Sequence, residues 1–151
     1  MLKPILLVED NPKDLELTLL ALEKSQLAND VVVVRDGAEA LDCLFRRGQF
    51  VGAQELPAVV LLDLKLPKVD GLEVLKKIRS DDQLKKVPVV MLTSSREEPD
   101  LRTAYELGAN AYVVKPVEFR DFVKAISDLG IFWAVLNEPP PGSARKLGSD
   151  V

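Results

Sequence analysis

Val59-Val60-Leu61-Leu62-Asp63-Leu64-Lys65-Leu66-Pro67 is the stretch that decides the fold. Four aliphatic residues, two of them β-branched, run directly into a carboxylate. A short continuous apolar run of this kind reads as a strand buried on both faces, as in a parallel sheet covered by helices. Asp63 then stands at the strand's C-terminal end, where open α/β folds place their ligands. Pro67 and Gly71 punctuate the chain just beyond, which sets Asp63 at the lip of a crevice.

The same pattern repeats on either side. Upstream, Ile5-Leu6-Leu7-Val8 stops at Glu9-Asp10-Asn11-Pro12, a turn that also caps a helix with Pro12 in its first position. Leu15, Leu19 and Leu22 give that helix its apolar seam. Val31 to Val34 form a second strand, and Asp36-Gly37 turns into a helix carrying Ala40, Leu41, Leu44 and Phe45 that ends near Gly48. Residues 49–57 read as a loop. Downstream, Asp70-Gly71 opens a helix with Leu72, Leu75 and Ile78 inward. Val87 to Leu92 is a fourth strand ending in Thr93-Ser94-Ser95. A polar helix from Glu97 to Leu107, with Leu101, Ala104 and Leu107 as its apolar positions, is closed by Gly108. Ala111 to Val114 is the fifth strand, followed by Lys115-Pro116.

Strand and helix therefore alternate five times. Right-handed crossovers turn that alternation into a flavodoxin-like, doubly wound (βα)5 architecture: one five-stranded parallel sheet with helices on both faces. A last helix starts near Glu118, with Phe119, Phe122, Ile126, Leu129, Trp133 and Leu136 on the face toward the sheet. Its opposite face turns apolar at Ile131 and Val135, which calls for a second burial partner. The domain is expected over 1–136. Residues 137–151, with Pro139-Pro140-Pro141 and scattered Gly and Ser, read as a disordered tail.

Composition narrows the chemistry. Histidine is absent, which removes His-based triads, most zinc sites and any histidine phosphodonor role. The net charge of −4 argues against direct nucleic-acid binding, which needs clustered Lys and Arg. No apolar run is long enough to span a membrane, and no signal-peptide pattern opens the chain. Cys43 is alone and sits beside Leu41, Leu44 and Phe45, as a packed, unreactive thiol. With no disulfide framework the expected location is cytoplasmic.

Because the five strands run one way, their C-terminal ends share an edge. Glu9, Asp10, Asp63, Thr93 and Lys115 all fall on it. Two carboxylates about 5 Å apart repel by about 3 kcal/mol at an effective dielectric near 20, so such a group shifts its pKa values or binds a cation. All-oxygen ligation points to Mg²⁺, with Mn²⁺ as the alternative. A divalent ion beside a carboxylate, a lysine and a hydroxyl suit phosphoryl transfer onto Asp63. Rival chemistries lack their residues. The acidic Glu9-Asp10 would repel a flavin phosphate, no Walker motif occurs, and Lys65 stands where a haloacid-dehalogenase-type phosphatase needs a second Asp.

The chain resembles the response-regulator receiver domains of two-component signalling over roughly residues 3–136. The matching motifs are Val8-Glu9-Asp10-Asn11, Leu62-Asp63-Leu64-Lys65-Leu66-Pro67 with Asp70-Gly71, Leu92-Thr93-Ser94, and Gly108-Ala109 before Tyr112-Val113-Val114-Lys115-Pro116. The resemblance implies Asp63 as phosphoacceptor, with Asp10, Asp63 and the Lys65 backbone carbonyl ligating Mg²⁺ and Glu9 helping through water. It further implies that Thr93 and Lys115 contact the phosphoryl group and that Tyr112 is a switch coupled to Thr93. Positions 65 and 95 would tune hydrolysis of the acyl phosphate. Pro67-Lys68, Phe132-Trp133 and the Pro-containing tail are similar to the stand-alone regulators of phytochrome kinases. That likeness implies a phytochrome-type histidine kinase as partner and a homodimer built on the fourth helix, fifth strand and fifth helix, to which Ile131 and Val135 would belong. Comparable regulators often carry Asn where this chain has Lys65.

On this reading the protein is not an enzyme acting on others; its chemistry is its own phosphorylation and dephosphorylation. The alternative from another class is a receiver-fold adaptor that is never phosphorylated and acts by docking alone. A pure scaffold has no need of mutually repelling acids at one edge, so the intact Glu9, Asp10, Asp63, Thr93 and Lys115 set disfavours it.

Overall fold

The computed structural model describes residues 3–24, 27, 29–52, 56–93, 98–114, 120–121, 123–125 and 127–128, with the backbone alone at Thr93 and Glu98. The expected roles of Lys115, Ser95, Phe132, Trp133, Ile131 and Val135, and the tail over 137–151, lie outside the described residues.

The elements run in order as β1 (Ile5–Val8), α1 (Pro12–Lys24), β2 (Val31–Val34), α2 (Gly37–Leu44), a 3-10 turn (Gly48–Phe50), β3 (Val59–Leu62), α3 (Gly71–Ser80), β4 (Val89–Thr93), α4 (Glu98–Glu106) and β5 (Ala111–Val114). The strands form one parallel sheet in the order β2-β1-β3-β4-β5. This is the doubly wound flavodoxin-like arrangement the alternation predicts. Residues 120, 121, 123–125, 127 and 128 are also helical.

The strands read as continuous apolar runs because the pleat sends alternate residues into two cores. Leu6, Val8, Val60, Leu62, Val89 and Met91 face α2, α3 and Ala104 of α4. Ile5, Leu7, Val59, Leu61, Val90 and Leu92 face Leu15, Ala21 and Leu22 of α1, with Val123 packed alongside. Burying each such side chain contributes roughly 1.5 to 3 kcal/mol, so the sheet is the rigid body from which the loops are hung.

Helix starts follow local chemistry. Asn11 Oδ1 accepts from Lys13 N at 2.9 Å and Asp14 N at 3.1 Å, capping α1 ahead of its proline. Asp36 Oδ1 accepts from Glu39 N at 2.7 Å, and Glu39 Oε1 accepts in return from Arg35 N at 2.9 Å. Two helix seams differ from the expectation. On α1, Leu19 is exposed and Thr18 and Ala21 are buried instead. The stripe passes through Leu15, Thr18 and Leu22, because small residues let the helix lie close to the sheet. On α4, Ala104 is buried while Leu101 is exposed. The second helix ends at Leu44, earlier than expected: Arg46 takes φ 57° and starts a new turn.

Arg79, near the C-terminal end of α3, ties the distal end of the sheet together. It donates to Gly108 O at 2.9 Å, Val87 O at 2.7 Å, Lys85 O at 3.1 Å and Asn110 Oδ1 at 2.8 Å. Partial burial lowers its pKa from the ordinary guanidinium value. Among the described residues no helix is long and apolar enough to cross a membrane.

Candidate functional site

The acidic cluster is assembled by backbone register. Val8 pairs with Val34 on one side and Leu62 on the other. Beyond that pair, Glu9 N donates to Val34 O at 3.1 Å and Asp63 N donates to Val8 O at 3.2 Å. The chain positions after β1 and β3 are therefore held side by side as the strands end. One carboxylate oxygen from each of Glu9, Asp10 and Asp63 lies within 4.8 Å of the others. The sequence brings these three acids to one edge, and the structure brings their oxygens to one point.

The three differ in environment. Glu9 is 1% exposed and Asp63 8%, whereas Asp10 opens to solvent. Asp63 is thus more enclosed than the lip position expected for it, because Leu64 turns back into the core directly after it. Glu9 Oε2 accepts from Asn11 N at 3.2 Å, which orients its carboxylate.

The donor set fits a hard divalent cation. It is all oxygen, partly buried, and open on the Asp10 side. Ligands around a small octahedral ion sit about 3 to 4 Å apart, a spacing comparable to the 4.8 Å limit within which these oxygens lie. Among the described residues this is the only group of three or more potential ligating side chains.

The segment carrying Lys65 is held by two close backbone approaches that sequence reading takes for ordinary helix openings. Gly71 N donates to Leu64 O at 2.9 Å, and a Cβ on Gly71 would stand 2.2 Å from Asp63 O. Gly37 N donates to Pro67 O at 3.2 Å, and a Cβ there would stand 1.8 Å from Val69 O. Only glycine lets the starts of α2 and α3 press against the loop. Lys68 takes φ 69° and its ammonium lies 3.6 Å from Asp36. The loop between Asp63 and α3, with the Lys65 carbonyl in it, is fixed from both sides.

Thr93 is the last residue of β4 and pairs with Val114, so its backbone ends at the same edge as the acids; its side chain is outside the described residues. Lys115, one residue past β5, is also outside them. Tyr112 pairs with Met91 in the sheet, is half-buried, and packs against the core. Its ring centroid lies 6.5 Å from that of Tyr105 on α4, tilted by 41°. Tyr105 is not among the apolar positions the sequence reading assigns to this helix, although its i, i+4 spacing from Leu101 is a signal for it. Cys43 is half-buried, and burial, then Glu39, pushes its thiol pKa up, as an unreactive thiol requires.

Comparison with known proteins converges on one family. A family model described as the response regulator receiver domain matches residues 5–127. The solved structure of the bacteriophytochrome response regulator RtBRR is 70% identical with a TM-score of 0.77, covering 96% of this chain and 88% of its own. The Mn(2+)-bound form of response regulator Rcp1 aligns with a TM-score of 0.80 at 39% identity, covering 87% and 94%. Rcp1 from Synechocystis sp. is likewise 39% identical over 131 residues, 87% of this chain and 88% of Rcp1. The phosphorylated cyanobacterial phytochrome response regulator RcpA aligns with a TM-score of 0.82 at 41% identity, covering 88% and 94%.

Proposed function

The chain belongs to the response regulator receiver domain family, and from that premise we propose that it carries its signal as a phosphoryl group on Asp63, received from a sensor histidine kinase of the phytochrome type. The observation that carries this reading is the meeting of the Glu9, Asp10 and Asp63 oxygens within 4.8 Å at the sheet's C-terminal edge. Likeness to proteins described as bacteriophytochrome and cyanobacterial phytochrome response regulators, one of them in a phosphorylated form, supports the choice of acceptor chemistry and of kinase.

In the proposed step a carboxylate oxygen of Asp63 attacks the phosphorus of a phosphohistidine. The P–O bond forms as the P–N bond breaks, and the imidazole leaves with the electron pair and takes up a proton. Asp10, Asp63 and the Lys65 carbonyl would hold Mg²⁺, with Glu9 acting through water; Mn²⁺ would serve equally, in keeping with the Mn(2+)-bound form of Rcp1. When bound, the ion supplies positive charge that offsets the repulsion between the acids and the incoming phosphoryl oxygens. Lys115 would pair with a phosphoryl oxygen, and the Thr93 hydroxyl would donate a hydrogen bond to another.

Phosphorylation adds about 1.5 to 2 negative charges at one end of the sheet. Thr93 moves toward them, Tyr112 follows into the space released, and the face formed by α4, β5 and the following helix changes its packing. The protein acts on no substrate but itself. Exposed Leu101 and Tyr105 on α4, with the apolar Ile131 and Val135 in sequence, support this face as a homodimer surface in the cytoplasm.

Acetyl phosphate with Mg²⁺ provides the test, read by intact-protein mass spectrometry. The protein gains one acid-stable, base-labile phosphoryl group, and Asp63→Asn gains none. Undiminished labelling of Asp63→Asn rejects the proposal. Absence of labelling in both, with kinase present as well, favours a docking adaptor.

A further inference from the structure

Tyr112 is not packed between strand and core alone. Its ring meets that of Tyr105, with centroids 6.5 Å apart and planes at 41°, inside the range of a productive aromatic pair. Tyr105 sits in the last turn of α4 and is 48% exposed. Leu101, one turn earlier on the same helix, is 37% exposed. The i, i+4 spacing puts both on one strip of α4. Tyr105 therefore has one edge on the surface and the other against the residue assigned to the switch. The backbone register strengthens the connection. Tyr112 pairs with Met91, and position 93 lies two residues along β4 from Met91, so positions 93 and 112 belong to one face of the sheet.

We propose that Tyr105 is a positioning residue for the switch: it holds the Tyr112 ring in the conformation described here and passes any departure of that ring to the exposed Leu101–Tyr105 strip of α4. The inference rests on the switch reading given above. Movement of Tyr112 toward the phosphorylated edge breaks the ring pair, so Tyr105 loses a packing partner at the surface where a partner protein would read it. The pair weights the equilibrium toward the described conformation. Its loss should shift the ratio of the two Tyr112 conformations by about two- to ten-fold, from the usual strength of aromatic pairs. Linkage requires the affinity for a phosphoryl mimic to rise with the competent fraction, by up to the same factor.

The chain contains only 2 tyrosines, Tyr105 and Tyr112, which makes the test direct. Full-length protein labelled with 3-fluorotyrosine gives two fluorine resonances, and Tyr105→Ala leaves that of Tyr112 alone. The expected result is a Tyr112 resonance that moves on adding Mg²⁺ and beryllofluoride in the parent protein. In Tyr105→Ala it is already displaced toward the beryllofluoride position, and beryllofluoride binds more tightly, by up to about ten-fold. Tyr105→Phe keeps the ring pair and restores parent behaviour. A Tyr112 resonance that responds normally in the parent but is unchanged by Tyr105→Ala, with equal beryllofluoride affinity, overturns the proposal while leaving the switch intact. A parent resonance that ignores beryllofluoride overturns the switch reading and this inference with it.

Discussion

The Arg79 Nη2 atom lies 2.8 Å from Asn110 Oδ1, and that same oxygen accepts from Val89 N at 2.8 Å. One side-chain carbonyl thus joins the end of α3, the first residue of β4 and the approach to β5. Arg79 adds bonds to the carbonyls of Gly108, Lys85 and Val87, so the α4–β5 connection is fixed to α3, the helix that precedes β4.

Arg79→Ala should lower unfolding stability by about 2 to 3 kcal/mol, the usual scale for hydrogen bonds from a charged donor. Asn110→Ala should cost about 1 to 2 kcal/mol on the same grounds. The double variant should be less destabilised than the two losses added together, since each substitution already breaks the shared bond. Urea denaturation of the four proteins measures the cycle. Strict additivity would show that the two side chains act independently.

Gly71 and Gly52 make opposite cases of the same substitution. A Cβ on Gly71 would lie 2.2 Å from Asp63 O and 2.8 Å from Leu64 O, both backbone atoms that cannot rotate away. Gly71→Ala must push α3 off the loop, and we expect a loss of more than about 2 kcal/mol together with slowed acetyl phosphate labelling. A Cβ on Gly52 would meet nothing within 4 Å, but the residue sits at φ +96°. Gly52→Ala should cost only about 1 kcal/mol of backbone strain and leave labelling unchanged. Thermal unfolding and labelling rates of the two variants, side by side, decide the matter.

Thr18 Oγ1 is fully buried and finds no hydrogen-bond partner among the described residues. A buried hydroxyl without a partner carries a desolvation cost of roughly 1 to 3 kcal/mol. Thr18→Val keeps the shape and removes that cost. It should raise stability by about 0.5 to 2 kcal/mol, seen as a higher urea midpoint at unchanged slope. A lower midpoint would mean that the hydroxyl is satisfied.

Much of this molecule is legible in its sequence because its strands are buried on both faces. Ile5–Val8 and Val59–Leu62 are unbroken aliphatic runs, and each is followed at once by the acids that matter. Alternation of such runs with helical patterns leaves little freedom in topology, and topology alone carries Glu9, Asp10 and Asp63 to one edge. What escapes the sequence depends on atoms meeting across it. Arg79 looks like any cation on a helix, since its acceptors are mostly backbone carbonyls, which are the same for every residue. Gly37 and Gly71 are plain as turn residues, whereas the carbonyls that forbid a Cβ there come from a segment read separately. Thr18 takes the buried place expected of Leu19 because helix rotation is set by the surface beneath it.

Metal removal tests the acidic cluster without any kinase. In chelator the three carboxylates repel one another across at most 4.8 Å, and exposure of Asp10 to solvent reduces the effect from the interior limit. Asp10→Asn removes one charge and should raise stability in EDTA by about 1 kcal/mol. Magnesium at a hundred times its dissociation constant should stabilise the parent protein by about 2.7 kcal/mol, a rise in Tm of about 5 to 10 °C for a domain of this size. In Asp10→Asn that rise should largely vanish, because a ligand and a charge are lost together. The signs therefore cross: the variant is the more stable protein in EDTA and the less stable one in magnesium. A Tm for the parent that magnesium leaves unmoved, with calcium and manganese equally inert, would mean that these acids share no ion.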